Sequence, residues 1–281
     1  MRLRGIKRSK NVEMRSGGGG RRRAGGKSSI GLVGVLAVLA IGYFTGIDVS
    51  PLLQGGSPAQ HQTQSADSGD DAAAQFSAQV LTTTEGVWRD VFRDQLGREY
   101  VPPKLVIFQG VTQSPCGGAS GATGPFYCPA DSKAYLDTQF FRALDQQMGA
   151  GGDFAAAYVI AHEVAHHVQN ELGILPKVNA ARQRSSETEA NALTVRLELM
   201  ADCLSGIWAR NVQGLMERGD LEEALNAARK IGDDYLQQQA GRVPQPHTFT
   251  HGTSEQRARW FGRGFDSGAV GDCDTFAAAR L

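Results

Sequence analysis

The stretch AAAYVIAHEVAHHVQN, residues 155–170, contains the pattern H-E-x-x-H. No proline interrupts it and apolar residues dominate its flanks, which predicts a buried helix. Side chains four residues apart lie on one face of a helix, so His162 and His166 can direct their imidazoles at one point. Two such imidazoles suit a zinc ion, and Glu163 beside them is placed to act as a general base in hydrolysis.

The alternative interpretation is a core helix that happens to carry histidines. Three of the six histidines in the chain fall within residues 162–167. Burying several imidazoles beside a glutamate without a metal would leave costly polar groups, which favours zinc binding. His167 points away from the other two histidines, so we interpret it as a supporting or surface residue and not as a ligand.

A catalytic zinc usually has three protein ligands and one open position. The apolar helix RLELMADCLSGIWA, residues 196–209, carries Glu198 and Asp202 four residues apart on one face. Two carboxylates on such a helix are costly unless a positive charge meets them. We predict Glu198 as the third ligand and Asp202 as the acceptor for the free N–H of a ligating histidine. The alternative is a solvated acidic stripe.

Four stretches carry a resemblance to a known family: GPFYCPADSKAYLD (124–137), HEVAHHVQ (162–169), RLELMADCLSGIWA (196–209) and FTHGTSEQRARWF (249–261). With the amino-terminal RLRGIKRSKNVEMR, the chain resembles the bacterial neutral zinc metallopeptidases, which are membrane-anchored and gluzincin-like. The resemblance covers nearly the whole chain and is weakest between residues 48 and 76. It implies one zinc ion per chain, held by His162, His166 and Glu198, with Glu163 as the base.

The resemblance also implies a role for the segment around residue 251. In distant gluzincins a histidine and an arginine follow the third ligand. His251 is therefore expected to stabilise the oxyanion of the tetrahedral intermediate, and Arg257 to hold the substrate or its carboxylate. The alternative is a capped surface helix with a solvated histidine.

Charge is unevenly distributed along the chain. Residues 1–28 contain ten Lys or Arg and one acid, whereas residues 30–47 are eighteen residues without a charge. That run is near the lower limit for a transmembrane helix, and the basic residues before it predict a cytoplasmic amino terminus. We predict a basic cytoplasmic tail (1–28) and a transmembrane anchor (29–47). A cleaved signal peptide is the competing interpretation. The basic segment lacks aromatic residues, so we expect no nucleic-acid partner.

This topology places the rest of the chain outside the cytoplasm, at the bacterial inner membrane. The four cysteines fit an oxidising compartment. We predict the disulfides Cys116–Cys128 and Cys203–Cys273, although four cysteines allow three connectivities and all four could instead be free buried thiols.

Residues 48–76 are rich in Ser, Gln, Gly and Asp, which predicts a flexible linker, and residues 77–281 form one globular domain. The predicted class is α+β and mainly helical, a zincin-like domain with a small sheet, preceded by one transmembrane helix. Residues 133–136 are expected to form an edge strand, where by resemblance an extended peptide substrate could add. The predicted helices span residues 77–96, 138–148, 153–172, 185–213, 219–238 and 253–264, and the predicted strands span 104–109 and 133–136.

These observations predict zinc-dependent hydrolysis of peptide bonds in a peptide or protein substrate. One alternative is another zinc amidase, acting on cell-wall peptides. The other is an anchored binding module with a structural zinc, which would need a fourth protein ligand such as His251 or His167. Oligomeric state stays open.

Overall fold

The computed structural model describes residues 1–15, 68–120 and 124–281. Within them the fold is α+β and mainly helical, with one small mixed sheet and a separate hairpin. The helices are α1 (Ser68–Val91), α2 (Gln139–Gln146), α3 (Asp153–Glu171), α4 (Ile174–Arg182), α5 (Glu187–Asn211), α6 (Asp220–Lys230), α7 (Asp233–Gln239) and α8 (Ser254–Ser267). The strands are β1 (Val12–Arg15), β2 (Lys104–Phe108), β3 (Val111–Ser114), β4 (Gly117–Ser120), β5 (Phe126–Cys128) and β6 (Lys133–Asp137).

The sheet has the strand order β1-β2-β6-β5. Strands β1, β2 and β6 are parallel, and β5 runs antiparallel to β6. Strand β2 is buried along four of its five residues, as its apolar sequence KLVIF predicts. The prediction that residues 133–136 form an edge strand is wrong, because β6 lies between β2 and β5. The edge next to β6 is β5, a three-residue strand too short to show a periodicity, and the opposite edge is β1.

Helix α3 forms the centre of the domain. Every residue from Phe154 to Gln169 is buried, which agrees with a helix that is apolar around most of its circumference. The predicted helix over residues 219–238 is two helices, α6 and α7. They are separated at Gly232, where a Cβ atom would lie 2.4 Å from the backbone nitrogen of Ser254. Helix α4 lies where no helix was predicted.

Helices α5 and α8 cross in close contact. A Cβ atom on Gly206 would lie 2.1 Å from the carbonyl oxygen of Phe261, and one on Gly264 would lie 1.8 Å from that of Cys203. Only glycine permits such an approach of two helix backbones. The Cys203–Cys273 disulfide ties the carboxyl-terminal segment to the same part of α5. The second disulfide, Cys116–Cys128, links the turn between β3 and β4 to the last residue of β5. Both predicted disulfides are thus confirmed.

The first fifteen residues are folded onto the domain. Strand β1 pairs with β2 over four residues, and the side chain of Gln79 on α1 donates to the backbone carbonyls of Leu3 and Ile6. They belong to the same compact unit as the helices that follow. Residues 1–15 of the predicted tail (1–28) thus have hydrogen-bond partners in the domain, and residues 16–28 lie outside the described residues.

The predicted anchor, residues 29–47, lies outside the described residues and stays a prediction. The same holds for the linker up to residue 67, whereas α1 begins at Ser68, inside the predicted linker. Across the described ranges, no helix combines the length and the apolar character that a bilayer crossing requires.

Candidate metal centre

The three predicted ligands lie together. His162 and His166 project from successive turns of α3, and Glu198 projects from α5, which packs against α3. The Nε2 atom of His162 lies 3.0 Å from Oε2 of Glu198, and Nε2 of His166 lies 3.4 Å from Oε1 of the same carboxylate. One ligand atom from each residue lies within 4.8 Å of the other two. Two imidazole nitrogens and a carboxylate oxygen at this separation suit zinc.

Hydrogen bonds fix the orientation of both histidine rings. His162 Nδ1 lies 2.9 Å from Oδ1 of Asp202, and His166 Nδ1 lies 2.9 Å from Oε1 of Gln169. Both acceptors require Nδ1 to carry the proton, which leaves each Nε2 lone pair free for a metal. The role predicted for Asp202 agrees with this geometry. Gln169 was not predicted, although its position three residues after His166 on a buried helix face was a usable signal.

Asp202 is the centre of a buried network behind His162. Its carboxylate accepts a hydrogen bond of 2.6 Å from the hydroxyl of Tyr158. It also accepts two from Arg257, one from Nε at 2.9 Å and one from Nη2 at 3.0 Å. Arg257 is buried and its guanidinium faces Asp202 and not the cleft. The structure therefore places Arg257 as a support for Asp202, a position that differs from the expected substrate clamp.

His251 lies outside the ligand cluster. Its Nδ1 is 3.2 Å from Oδ1 of Asp233, and its backbone N–H donates to Oδ2 of Asp233. Its side chain is 43% exposed, and it is absent from the described residues that line the cleft above the ligands. The expected oxyanion role has no supporting contact here.

Charge in the site is unbalanced towards the negative. Glu163, Glu198 and Asp202 meet one buried cation, Arg257. Burial raises the pKa of Glu163. Burial acts in the opposite direction on His162, but the charge and hydrogen bond of Asp202, together with Glu198, raise its pKa to about 10. In the metal-free protein Arg257 and the protonated His162 ring therefore balance two of the three carboxylates, and a divalent cation would replace the His162 proton at Nε2.

The ligand cluster opens into a cleft of about 280 Å³ between β5 and α4. Phe126 and Tyr127 of β5 form one wall. The Tyr127 hydroxyl lies 3.0 Å from Nδ1 of His167, whose Nε2 lies 2.7 Å from the carbonyl oxygen of Val101. Because that carbonyl can only accept, Nε2 of His167 donates and Nδ1 accepts from Tyr127. His167 is thus a support for the cleft wall and not a ligand, in agreement with its predicted role.

The cleft floor and opposite wall complete the site. Glu163 faces the cleft together with the three ligands, while Leu197 and Thr194 of α5 line its side. In the described part of the chain, no fourth His, Cys or acid joins the ligand group. Three protein ligands with a neighbouring buried carboxylate are typical of a catalytic zinc site, whereas a structural site has four.

The comparisons with known proteins agree with this chemistry. The chain is 48% identical to the uncharacterized protein YpfJ of Escherichia coli, over 98% of this chain and 99% of that protein. It is 38% identical to the uncharacterized proteins Mb2605 of Mycobacterium bovis and Rv2575 of Mycobacterium tuberculosis, over 76% of this chain and 75% of theirs. No solved structure matches the chain. The family model described as "Putative neutral zinc metallopeptidase" matches residues 1–276, and the chain belongs to that family.

Proposed function

We propose that the protein is a zinc-dependent peptidase that cleaves peptide bonds in the cleft between β5 and α4. The observation that carries the proposal is the convergence of His162, His166 and Glu198, with Glu163 facing the same cleft. A zinc ion held by these ligands would lower the pKa of a water molecule and polarise the scissile carbonyl.

The side chains around the proposed zinc ion transfer the proton and orient the histidine ligands. Glu163 accepts a proton from the attacking water at its carboxylate and passes it to the leaving amine. Its burial supports this role, because a raised pKa brings the carboxylate closer to the operating pH. Asp202 and Gln169 hold the histidine rings in a fixed orientation and tautomer.

The edge strand β5 offers a binding mode for an extended substrate. It pairs with β6 on one side, and Phe126 and Tyr127 face the cleft. A peptide lying along β5 could form backbone hydrogen bonds with its free edge, which gives affinity without strict sequence selection. We therefore propose that an extended peptide substrate pairs with β5 and not with residues 133–136, which form an inner strand.

For localisation, we propose that the domain works outside the cytoplasm, at the inner membrane. The fold has two disulfides, at sequence separations of 12 and 70 residues, as is usual in an oxidising compartment.

The test is the Glu163→Gln variant of the full chain, compared with wild type for zinc content and peptide cleavage. We expect one zinc per chain in both proteins and a loss of turnover of about 10²- to 10⁴-fold in the variant. Glu171→Gln on the same helix is the control and should retain activity. Full activity in Glu163→Gln would remove Glu163 as the base. Absence of zinc from the wild-type protein would remove the proposed function altogether.

A zinc amidase acting on cell-wall peptides is the second candidate. It uses the same metal site, so the bond that is cut must distinguish the two. Mass spectrometry of digests of casein and of peptidoglycan fragments identifies that bond. Cleavage confined to peptidoglycan stem peptides would favour the amidase.

A further inference from the structure

We propose that Arg182 selects substrates that present a carboxylate group on the α4 side of the cleft. The inference rests on the proposed peptidase function and names the substrate class for that site. It starts from the position of Arg182 at the end of α4, where it lines the same cleft as Glu163 and the three ligands.

Helix α4 presents one face to the cleft. Leu175, Asn179 and Arg182 follow one another at spacings of four and three residues, which places them on a single side of the helix. Leu175 packs with Leu197 in a small apolar cluster. The α4 wall therefore changes from apolar at its first turn to cationic at its last.

Arg182 has no acidic partner among the residues that the structure describes. Its Nη1 donates to Oδ1 of Asn179 at 3.2 Å, and its side chain is exposed. Glu198 contacts His162 and His166 of the metal site, and neither it nor Glu163 forms an ion pair with Arg182 in the described part of the chain. A guanidinium has five N–H groups in a fork that matches a carboxylate, so most of its donors remain available.

Two sources could supply the carboxylate. One is the free carboxyl terminus of a short peptide, and the other is an Asp or Glu side chain of a longer one. The recognition chemistry is the same, a charge-assisted hydrogen bond to the guanidinium. Matched peptides separate the two sources: carboxyl terminus against carboxamide terminus, and Asp against Asn.

The experiment measures kcat/KM of the full-length zinc enzyme on these peptide pairs, with Arg182→Gln as the variant. Arg184→Gln is the matched control, because Arg184 lies two residues away, is exposed and donates to the carbonyl of Ala180. We expect Arg182→Gln to lower kcat/KM by about 10-fold or more for the carboxylate member of one pair. The neutral member and the control variant should change by less than about 2-fold, within the range of surface substitutions.

If Arg182→Gln lowered kcat/KM equally for both peptides of each pair, or for neither of them, the proposal that Arg182 selects carboxylate substrates would be wrong. A second measurement keeps this outcome apart from a failure of the proposed function. In the Glu163→Gln background, direct binding of the same peptides is followed by fluorescence anisotropy. Tighter binding of carboxylate peptides that disappears with Arg182→Gln supports the inference even without turnover, and equal binding overturns it.

A second observation carries an independent inference: residues 1–15 and the peptidase domain lie in the same compartment. Strand β1 is hydrogen-bonded to β2, and Glu13 of β1 bridges Arg15 and Lys133 at 2.8 Å each. The Arg15 guanidinium also donates to the carbonyl of Gln113. These bonds cannot form across a bilayer, so β1 and the strands β2 and β6 must lie on the same side of any membrane. A cytoplasmic amino terminus with an extracytoplasmic domain does not fit this pairing.

Single cysteines test the shared compartment, since all four native cysteines are in disulfides. Lys10→Cys reports on the amino-terminal segment and Val243→Cys, which is 80% exposed, reports on the domain. A membrane-impermeant maleimide is applied to spheroplasts before and after lysis. Equal labelling of both positions, before or after lysis, supports the inference. Labelling of Val243→Cys in intact spheroplasts and of Lys10→Cys only after lysis would overturn it.

Discussion

The Asp202→Asn substitution tests how the metal site depends on the fold. Asp202 is fully buried and accepts hydrogen bonds from the His162 ring, the Tyr158 hydroxyl and the Arg257 guanidinium. Asparagine keeps the shape but loses the charge and one acceptor oxygen. Its amide NH₂ would point at groups that are themselves donors.

Two separate effects follow from the contacts. Loss of the charge leaves Arg257 buried without a counter-ion, which costs about 3–5 kcal/mol. For a domain of this size 1 kcal/mol corresponds to about 2–4 °C, so the Tm of the metal-free protein should fall by on the order of 10 °C. Loss of the carboxylate behind His162 should independently weaken zinc binding by about 10- to 100-fold.

A double variant separates these effects. Asp202→Asn combined with Arg257→Met removes both buried charges, which often restores much of the stability lost by breaking such a pair. Zinc affinity should stay low, because His162 Nδ1 still lacks its carboxylate. Tyr158→Phe is the matched control, since it removes one hydrogen bond from the same carboxylate at a cost of about 1 kcal/mol and leaves the charges intact.

The assays are thermal denaturation of metal-free protein, followed by circular dichroism, and competitive zinc titration against a chromogenic chelator. Recovery of full zinc affinity in the double variant would refute a direct effect of Asp202 on His162. An unchanged Tm in Asp202→Asn would refute the argument that Arg257 depends on this carboxylate.

Two further predictions concern residues outside the H-E-x-x-H pattern. Gly264→Ala should lower the free energy of unfolding by about 3 kcal/mol, because its Cβ would lie 1.8 Å from the Cys203 carbonyl oxygen; urea denaturation measures this. Gly262→Ala on the same helix has nothing within 4 Å and should be neutral or stabilising, so equal losses would contradict the close-crossing argument. His251→Gln should retain zinc and most of its turnover, because its contacts are to Asp233. A loss of turnover with zinc retained would instead restore the oxyanion role.

The candidate ligand set was predictable because it lies on two long helices. A spacing of four residues fixes a shared helix face whatever the surroundings, so His162, His166, Glu198 and Asp202 followed from the pattern. Gln169 obeys a related rule at a spacing of three. The cysteine pairs could also be predicted, since one pair closes a short Gly-rich loop and leaves the other two cysteines for each other.

The positions that sequence reasoning misplaced depend on contacts between distant elements. Strands β1 and β5 have four and three residues, too few for alternation to show which sheet or edge they join. The basic composition before residue 16 is typical of a solvated tail, yet Arg15 has a partner in Glu13 within the sheet. Arg257 was assigned to substrate from a resemblance, whereas the crossing of α8 over α5 decides what its guanidinium contacts.

That crossing connects the fold to the chemistry. Gly206 and Gly264 let α8 approach α5 closely enough for Arg257 to reach Asp202, and Asp202 in turn holds the ring of His162. The orientation of His162, a candidate metal ligand, thus depends on Arg257, which lies 55 residues after the carboxylate that it supports. A chain with the same H-E-x-x-H pattern but a bulky residue at position 206 or 264 could keep its ligands and still lose the fixed histidine geometry. The two glycines therefore help to position His162 through Arg257 and Asp202, although neither of them lines the cleft.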